Sequence, residues 1–157
     1  MRNFRDFTPE IAVRFQGASR GNPGTTGFAR GAPLRLSFRT MEIFNKSKNT
    51  VIAQNARLAD TFGARMKGLL GRVELRAGEA LVITKCQSIH MFFMRFAIDA
   101  IFVDGNNRVV GLVEGIKPFR LSPIFFRAKY VIELKPGTIA AAKTSLHDQL
   151  ESSTSIV

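Results

Sequence analysis

Short runs of β-branched and aromatic residues, separated by polar turns, dominate the chain after Met41. Two alternating runs, Glu42–Asn45 and Thr50–Gln54, flank the polar sequence NKSKN and predict a β-hairpin. Farther along, Ile98–Val103 and Arg108–Val113 flank DGNN, whose Asp, Gly and Asn residues tolerate the positive φ angles of tight turns. This second pair of runs is the strongest hairpin signal in the sequence.

Two further apolar runs complete the predicted sheet. Ala80–Thr84 is typical of a buried strand, and Lys129–Leu134 predicts another strand, which Pro136 and Gly137 end. Many short strands with turn residues between them, and few helical patterns, are characteristic of all-β domains. The sequence therefore predicts a mainly β fold, in the form of a compact β-sandwich or barrel with one or two short helices.

Helical periodicity occurs at two places. Apolar spacings of four and three positions predict a short helix over positions 60–71, capped by Asp60 or Thr61 and ended by Gly71. The apolar face of this helix is made by Phe62, Met66, Leu69 and Leu70. A second helical segment of one or two turns is predicted over Thr138–Lys143.

Residues 1–40 differ in composition from the rest of the chain. They contain five of the thirteen glycines and three of the six prolines, and the stretch GNPGTTGFARGAP interrupts any periodic pattern. We interpret residues 1–40 as a disordered segment, or as an extension upstream of a translation start at Met41. Residues 41–151 then form one β-domain, and residues 152–157 form a flexible tail.

The chain is basic, with 23 Lys and Arg against 12 Asp and Glu, but its charge is concentrated only near the N-terminus, where residues 1–40 carry seven Arg and two acidic residues. Without another block of like charge, nucleic-acid binding is not expected. A single cysteine excludes an intramolecular disulfide, and no apolar run approaches the roughly 20 residues of a spanning helix. Since no signal peptide is evident, the chain as written is expected in the cytoplasm.

Three stretches of the chain are similar to one known family. They are RMKGLLGR at Arg65–Arg72, SIHMFFMRFAIDAIFVD at Ser88–Asp104, and AKYVIELKPG at Ala128–Gly137. Together they resemble the DUF192 (UPF0127) family over roughly residues 41–151. The resemblance implies a compact single-domain β-sandwich without an established activity, in a family whose bacterial and archaeal members are often exported.

The resemblance also points to individual positions. The family's motifs fall on Arg65, Gly68, Leu69, Leu70 and Arg72, and on Met94, Arg95, Ile98 and Asp99. Family members commonly place a Gly-Asp pair before a last strand, and here His147 stands in the place of the glycine. Because glycine favours the conformation of a tight turn, the resemblance leaves the geometry of this turn open.

The block from Cys86 to Gly105 carries the most varied side chains of the chain. If it is extended, Cys86, His90 and Met94 share one face, and thiolate, imidazole and thioether are ligands that suit copper(I). The outer two would lie roughly 26 Å apart, however, which is too far for one ion. We therefore expect core packing here, and we predict no metal and no other cofactor.

Asp99 lies among apolar residues, and a buried carboxylate needs a compensating partner. We predict an ion pair with Arg95, Arg65 or Arg72. The alternatives are that Asp99 caps a backbone donor, turns outward to solvent, or has a ligand-binding or catalytic role. His90 has the chemistry of a general acid or base, but no recognised motif gives it a partner, so a structural role is expected.

The favoured hypothesis is a monomeric, non-enzymatic domain that binds an unknown small ligand or protein. Its binding site would be a polar cleft near His90, Arg95 and Asp99, with Arg65 and Arg72 nearby. One alternative is a small hydrolase that uses His90 and Asp99. Another is a basic protein that binds anions or a membrane surface, mainly through residues 1–40.

Overall fold

A computed structural model describes residues 40–61, 68–69 and 71–156. The strands are β1 (Thr40–Asn45), β2 (Thr50–Ala59), β3 (Glu79–Thr84), β4 (Ile98–Val103), β5 (Val109–Ile116), β6 (Tyr130–Leu134) and β7 (Leu150–Ser152), and the helix α1 spans Thr138–Ala141. All seven strands join one sheet in the order β5-β4-β6-β3-β2-β1-β7, which is not closed. The predicted mainly β fold is confirmed.

Both predicted hairpins are present. The pairs β1–β2 and β4–β5 are antiparallel, and the turns that join them contain Asn49 and Asn107 with φ angles of 55° and 60°. Asparagine enters this left-handed region more readily than most residues, so these turns follow from local chemistry. The pair β2–β3 is parallel, and positions 60–78 supply the crossover that such a pair requires.

Most of the predicted helix over positions 60–71 lies outside the described residues, and so does Arg65. The last strand expected from the family resemblance is β7, which pairs with β1. His147 has a φ angle of 70° and is exposed, so it adopts the left-handed conformation that glycine would favour. The turn before β7 is therefore kept despite the substitution.

The two sides of the sheet carry different coverings. One side, which we call the helix face, packs against Ile139 and Ala142 of the α1 region. The other side, which we call the loop face, packs against the segments 85–97 and 117–129 and against Leu69 and Leu75 of the crossover. Side chains alternate between these faces along each strand, so β4 and β6 are covered on both sides. Within the described residues, no helix is long and apolar enough to span a bilayer.

A buried carboxylate fastens the chain near β7. Asp148 accepts hydrogen bonds of 2.8 Å from Asn45 Nδ2 and from Ser145 N–H, and its other oxygen lies 3.6 Å from Lys48 Nζ. Burial opposes its ionisation, but these donors outweigh burial and lower the pKa of Asp148. The polar groups at this end of the sheet therefore have structural partners.

Candidate binding surface

Segments 85–97 and 117–129 run antiparallel and are joined by backbone hydrogen bonds. Ser122 N–H donates to Ile89 O over 3.0 Å, and Met91 N–H donates to Arg120 O over 2.8 Å. His90 and Leu121 form an isolated antiparallel bridge between these bonds. The two segments thus behave as a ribbon laid over the loop face, although neither forms a regular strand.

Side-chain hydrogen bonds fasten the same ribbon. The buried hydroxyl of Ser122 accepts from Ile89 N–H over 2.9 Å and donates to Pro123 O over 2.9 Å. At the other end, Gln87 Nε2 donates to Phe126 O over 2.7 Å. Because buried polar groups of the ribbon are satisfied internally, its conformation is fixed without any partner.

The inner side of the ribbon packs on the sheet. Phe125 stacks against Phe102 of β4 with ring centroids 4.4 Å apart. This approach requires Gly111 of β5, because a Cβ atom at that position would lie 2.3 Å from the Phe125 ring. Ile89 and Met91 join the same buried cluster. Packing of these apolar side chains therefore holds the ribbon on the sheet.

The outer side of the ribbon is also apolar. Large hydrophobic side chains with 42–78% exposure project from it, and we call this set the aromatic surface: Phe92, Phe93, Phe119, Leu121, Ile124 and Phe126. Single exposed apolar residues are ordinary, but a group on two joined segments is characteristic of an interaction site.

Two members of the aromatic surface have strained backbones. Phe93 and Phe119 have φ angles of 63° and 61°, in the left-handed region that bulky residues rarely adopt. Their side chains are 78% and 65% exposed, so burial does little to offset this strain. Glycine would fit both turns better, and the presence of phenylalanine therefore calls for an explanation other than folding stability.

The ribbon carries positive charge and no negative charge. Residues 85–98 and 117–132 contain no Asp or Glu. Their basic residues, all exposed, are Lys85, Arg95, Lys117, Arg120, Arg127 and Lys129. Arg127 Nη2 lies 3.9 Å from Asp104 Oδ2, a long contact to a carboxylate at the edge of the ribbon. The aromatic surface is thus bordered by cations.

Two of the residues predicted for the polar cleft lie on this ribbon. His90 is exposed, and its ring stacks on Phe92 with a centroid distance of 5.6 Å. Arg95 is exposed two positions after Phe93. Both residues therefore border the aromatic surface.

Asp99 lies on the opposite side of the sheet. It is 1% exposed, and its two carboxylate oxygens accept from Gly115 N–H over 2.9 Å and from Ile139 N–H over 3.0 Å. The second donor belongs to the first turn of α1, whose N–H groups have no partner within the helix. Across the described part of the chain, Asp99 is not ion-paired with Arg95 or Arg72, so the ion pair predicted with either of these is wrong. Backbone donors satisfy the charge instead.

The remaining predicted site residues do not join His90. Arg72 Nη2 contacts Glu79 Oε2 at 2.9 Å, and Arg65 lies outside the described residues. The structure therefore does not bring His90, Arg95, Asp99 and Arg72 together in one cleft. A hydrolase that pairs His90 with Asp99 finds no geometric support either, because the two side chains belong to opposite sides of the sheet.

Cys86, His90 and Met94 do not share one face. Cys86 is half-buried with its thiol 3.1 Å from Ser88 O, His90 is exposed, and Met94 is buried. The turn at Phe93 interrupts the alternation that an extended segment would have. Over residues 40–61, 68–69 and 71–156, no group of three or more His, Cys, Asp or Glu side chains is arranged to hold a metal.

Glu133 is a buried carboxyl group on the loop face. It occupies β6 between Leu81 of β3 and Ala100 of β4, and its Oε2 is buried with no hydrogen-bond partner among the residues that the structure describes. Burial raises its pKa to about 8. The loop face therefore holds a carboxyl group that is mostly protonated at neutral pH.

An open cavity of about 350 Å³ lies elsewhere, beside β7 and the turn between β4 and β5. Several of its polar lining groups have partners within the fold: Asn107 Oδ1 accepts from Tyr130 Oη over 2.9 Å, and Lys46 Nζ lies 3.6 Å from Glu151 Oε2. None of the residues predicted for the polar cleft lines this cavity. The lining residues do not form a recognisable catalytic arrangement of side chains.

The three sequence stretches lie within the region that a family model matches. The family model of DUF192, described as Uncharacterized ACR, matches residues 43–152. The chain belongs to DUF192. It is 33% identical over 113 residues to a UPF0127 protein of Thermococcus sibiricus, covering 69% of this chain and 73% of the relative. It is 36% identical over 112 residues to UPF0127 protein PH1112 of Pyrococcus horikoshii, covering 69% and 96%.

A solved structure supports the fold of this DUF192 chain. It is a protein of unknown function from Novosphingobium aromaticivorans, with a TM-score of 0.63 and 23% identity. The match covers 83% of this chain and 99% of that protein. At this identity the likeness concerns the fold alone, so the function has to be argued from the surface described above.

Sequence reasoning did not identify this surface. The core packing expected for the Cys86–Gly105 block holds for Met91 and Met94, but it is wrong for Phe92 and Phe93, which are exposed. The segment with Phe92 and Phe93 belongs to the family motif, whereas Phe119, Leu121, Ile124 and Phe126 were not singled out. A signal for them does exist: apolar residues recur around Pro118 and Pro123 in a stretch that predicts neither a strand nor a helix. Apolar residues without a predicted element are candidates for exposure.

Proposed function

We propose that this protein is a non-enzymatic binding domain and that the aromatic surface is its binding site. The observation that carries the proposal is the exposure of six large apolar side chains on a ribbon whose own hydrogen bonds already fix it. Such a surface gains free energy when a partner removes it from water. The bordering cations favour a partner that is both apolar and negatively charged.

His90 and Arg95 remain part of this proposal, as border residues of the surface. Asp99 and Arg72 are left out, because their polar atoms already have partners within the fold. The proposal thus keeps the class of function expected from the sequence and places the site on the loop face.

Anilinonaphthalene sulfonate tests the proposal, because this fluorescent probe combines apolar rings with one negative charge. We expect the folded protein to enhance its fluorescence, and we expect the F93G/F119G variant to lose most of that enhancement. Glycine fits the backbone at both positions, so the variant should remain folded. Circular dichroism and thermal unfolding check this.

The matched control is V51T/L146S, which removes exposed apolar side chains outside the ribbon. It should enhance probe fluorescence as the wild type does. If the wild type gives no enhancement, or if F93G/F119G and the control lose it equally, the aromatic surface is not a binding site.

A further inference from the structure

We infer that the partner of the aromatic surface is an anionic lipid bilayer, an inference that rests on the proposed binding function. The exposed residues within 91–97 and 117–127 are of only six types. They are Phe92, Phe93, Arg95, Lys117, Phe119, Arg120, Leu121, Pro123, Ile124, Phe126 and Arg127. The set contains only apolar side chains and cations. The other exposed residues of the ribbon are Lys85, Gln87, His90 and Lys129, and the side-chain amide of Gln87 already donates to Phe126 O.

This composition distinguishes a bilayer from a folded protein partner. Protein interfaces combine an apolar centre with a polar rim that forms many directional hydrogen bonds, and they are depleted in Lys. Segments that lie in a membrane interface instead combine Phe and Leu with Lys and Arg. Here four backbone N–H groups, those of Met91, Phe119, Ser122 and Phe125, pair the two segments, and the exposed side chains offered to a partner are mainly cations and apolar groups.

The two strained turns fit the same interpretation. Phe93 and Phe119 project from the ribbon at positions where the backbone alone would favour glycine. In an interface, side chains of this kind are buried among headgroups and the first part of the acyl chains, to a depth of about 5–10 Å. Arg95 and Arg120, each near one of these rings, can then reach lipid phosphates while their stems cover apolar surface.

Cosedimentation of the full chain with vesicles tests the inference. One set is phosphatidylcholine alone, and the other is a phosphatidylcholine–phosphatidylglycerol mixture. We expect binding to the anionic vesicles, much weaker binding to the neutral ones, and weakening by added salt.

Two variants separate the apolar and the electrostatic contributions. F93G/F119G should bind anionic vesicles at least roughly tenfold more weakly, since two phenyl rings no longer insert. R95Q/R120Q should bind them about fivefold more weakly for each cation removed. The matched control K135Q/K143Q removes two exposed lysines near α1 and should bind as the wild type does.

Several results would overturn the inference while leaving the binding surface in place. If the sulfonate probe binds but anionic vesicles do not, the partner is not a bilayer, and an acidic protein takes its place. If wild-type dimers in sedimentation velocity become monomers in F93G/F119G without vesicle binding, the occupant is a second copy. If both ribbon variants still bind vesicles fully, residues 1–40 carry the attraction, because every variant retains that Arg-rich segment.

Discussion

Each face of the sheet has one buried carboxyl group within its described strands, and the two groups differ in their hydrogen-bond partners. On the helix face, Asp99 accepts two backbone hydrogen bonds, one of them from the first turn of α1. On the loop face, Glu133 has a buried oxygen for which the described residues supply no hydrogen-bond partner. A satisfied buried charge fastens a fold, whereas an unsatisfied one lowers its stability.

The segments that cover the two faces also differ, in the side chains that they expose to solvent. The helix face is closed by the α1 region, where Ile139 N–H donates to Asp99, and among the described residues this covering presents no group of large exposed apolar side chains. The loop face is covered by a ribbon that packs apolar residues inward and also exposes phenyl rings outward. If the proposed binding function is correct, the helix face serves stability, and the loop face gives up some stability for an exposed apolar exterior. Four predictions test this contrast.

The largest expected effect is a pH dependence of stability from Glu133. Burial raises its pKa from 4.5 to about 8, so between these values only the folded state binds the proton. The free energy of unfolding therefore falls as the pH rises through this window, by roughly 4 kcal/mol between about pH 5 and pH 9. Urea unfolding at several pH values measures this slope. Glu133→Gln should remove it, and parallel profiles for the wild type and the variant would contradict the prediction.

On the helix face, Asp99→Ala should destabilise the fold by about 2–4 kcal/mol, because two backbone N–H groups lose a charged acceptor. Asp99→Asn retains one acceptor oxygen and should cost less. Urea unfolding at neutral pH compares the two variants. An Asp99→Ala variant as stable as the wild type would show that these hydrogen bonds do not hold α1.

Contact between the ribbon and the sheet can be broken at Gly111. Gly111→Ala places a Cβ atom against the Phe125 ring and should cost about 1–3 kcal/mol of unfolding free energy. Phe125→Ala in the same chain removes the clash, so the double variant should lose less than the sum of the two single losses. Strictly additive losses would mean that the ring and the glycine do not constrain each other.

The smallest effect is expected on the outside of the ribbon. F93G/F119G should keep the free energy of unfolding within about 1 kcal/mol of the wild type, because relief of two left-handed phenylalanines offsets the flexibility of glycine. Phe93→Ala retains the strained backbone and serves as the comparison. Thermal and urea unfolding measure both variants, and a loss well above 1 kcal/mol in F93G/F119G would assign the rings a stabilising role.

Much of the sheet could be predicted because its signals are local. The alternation in Ile98–Val103 and the DGNN turn specify a hairpin through neighbours in sequence, and the structure has β4 and β5 there. The polar cleft was not predicted correctly, since its residues are close in sequence but lie on different sides of the sheet. Asp99 points to the helix face, whereas His90 and Arg95 follow a ribbon that crosses the loop face.

The sequence by itself determined the strands, the tight turns, membership of DUF192 and the lack of acidic residues in the two ribbon segments. Only the tertiary structure decided that residues 117–129 pair with residues 85–97, because contacts between segments so far apart leave no local periodic pattern. It also decided that both sides of β4 and β6 are covered, which buries Asp99 and Glu133 together with the apolar residues around them. The positions of these two carboxylates and the exposure of the phenyl rings are therefore properties of the assembled sheet.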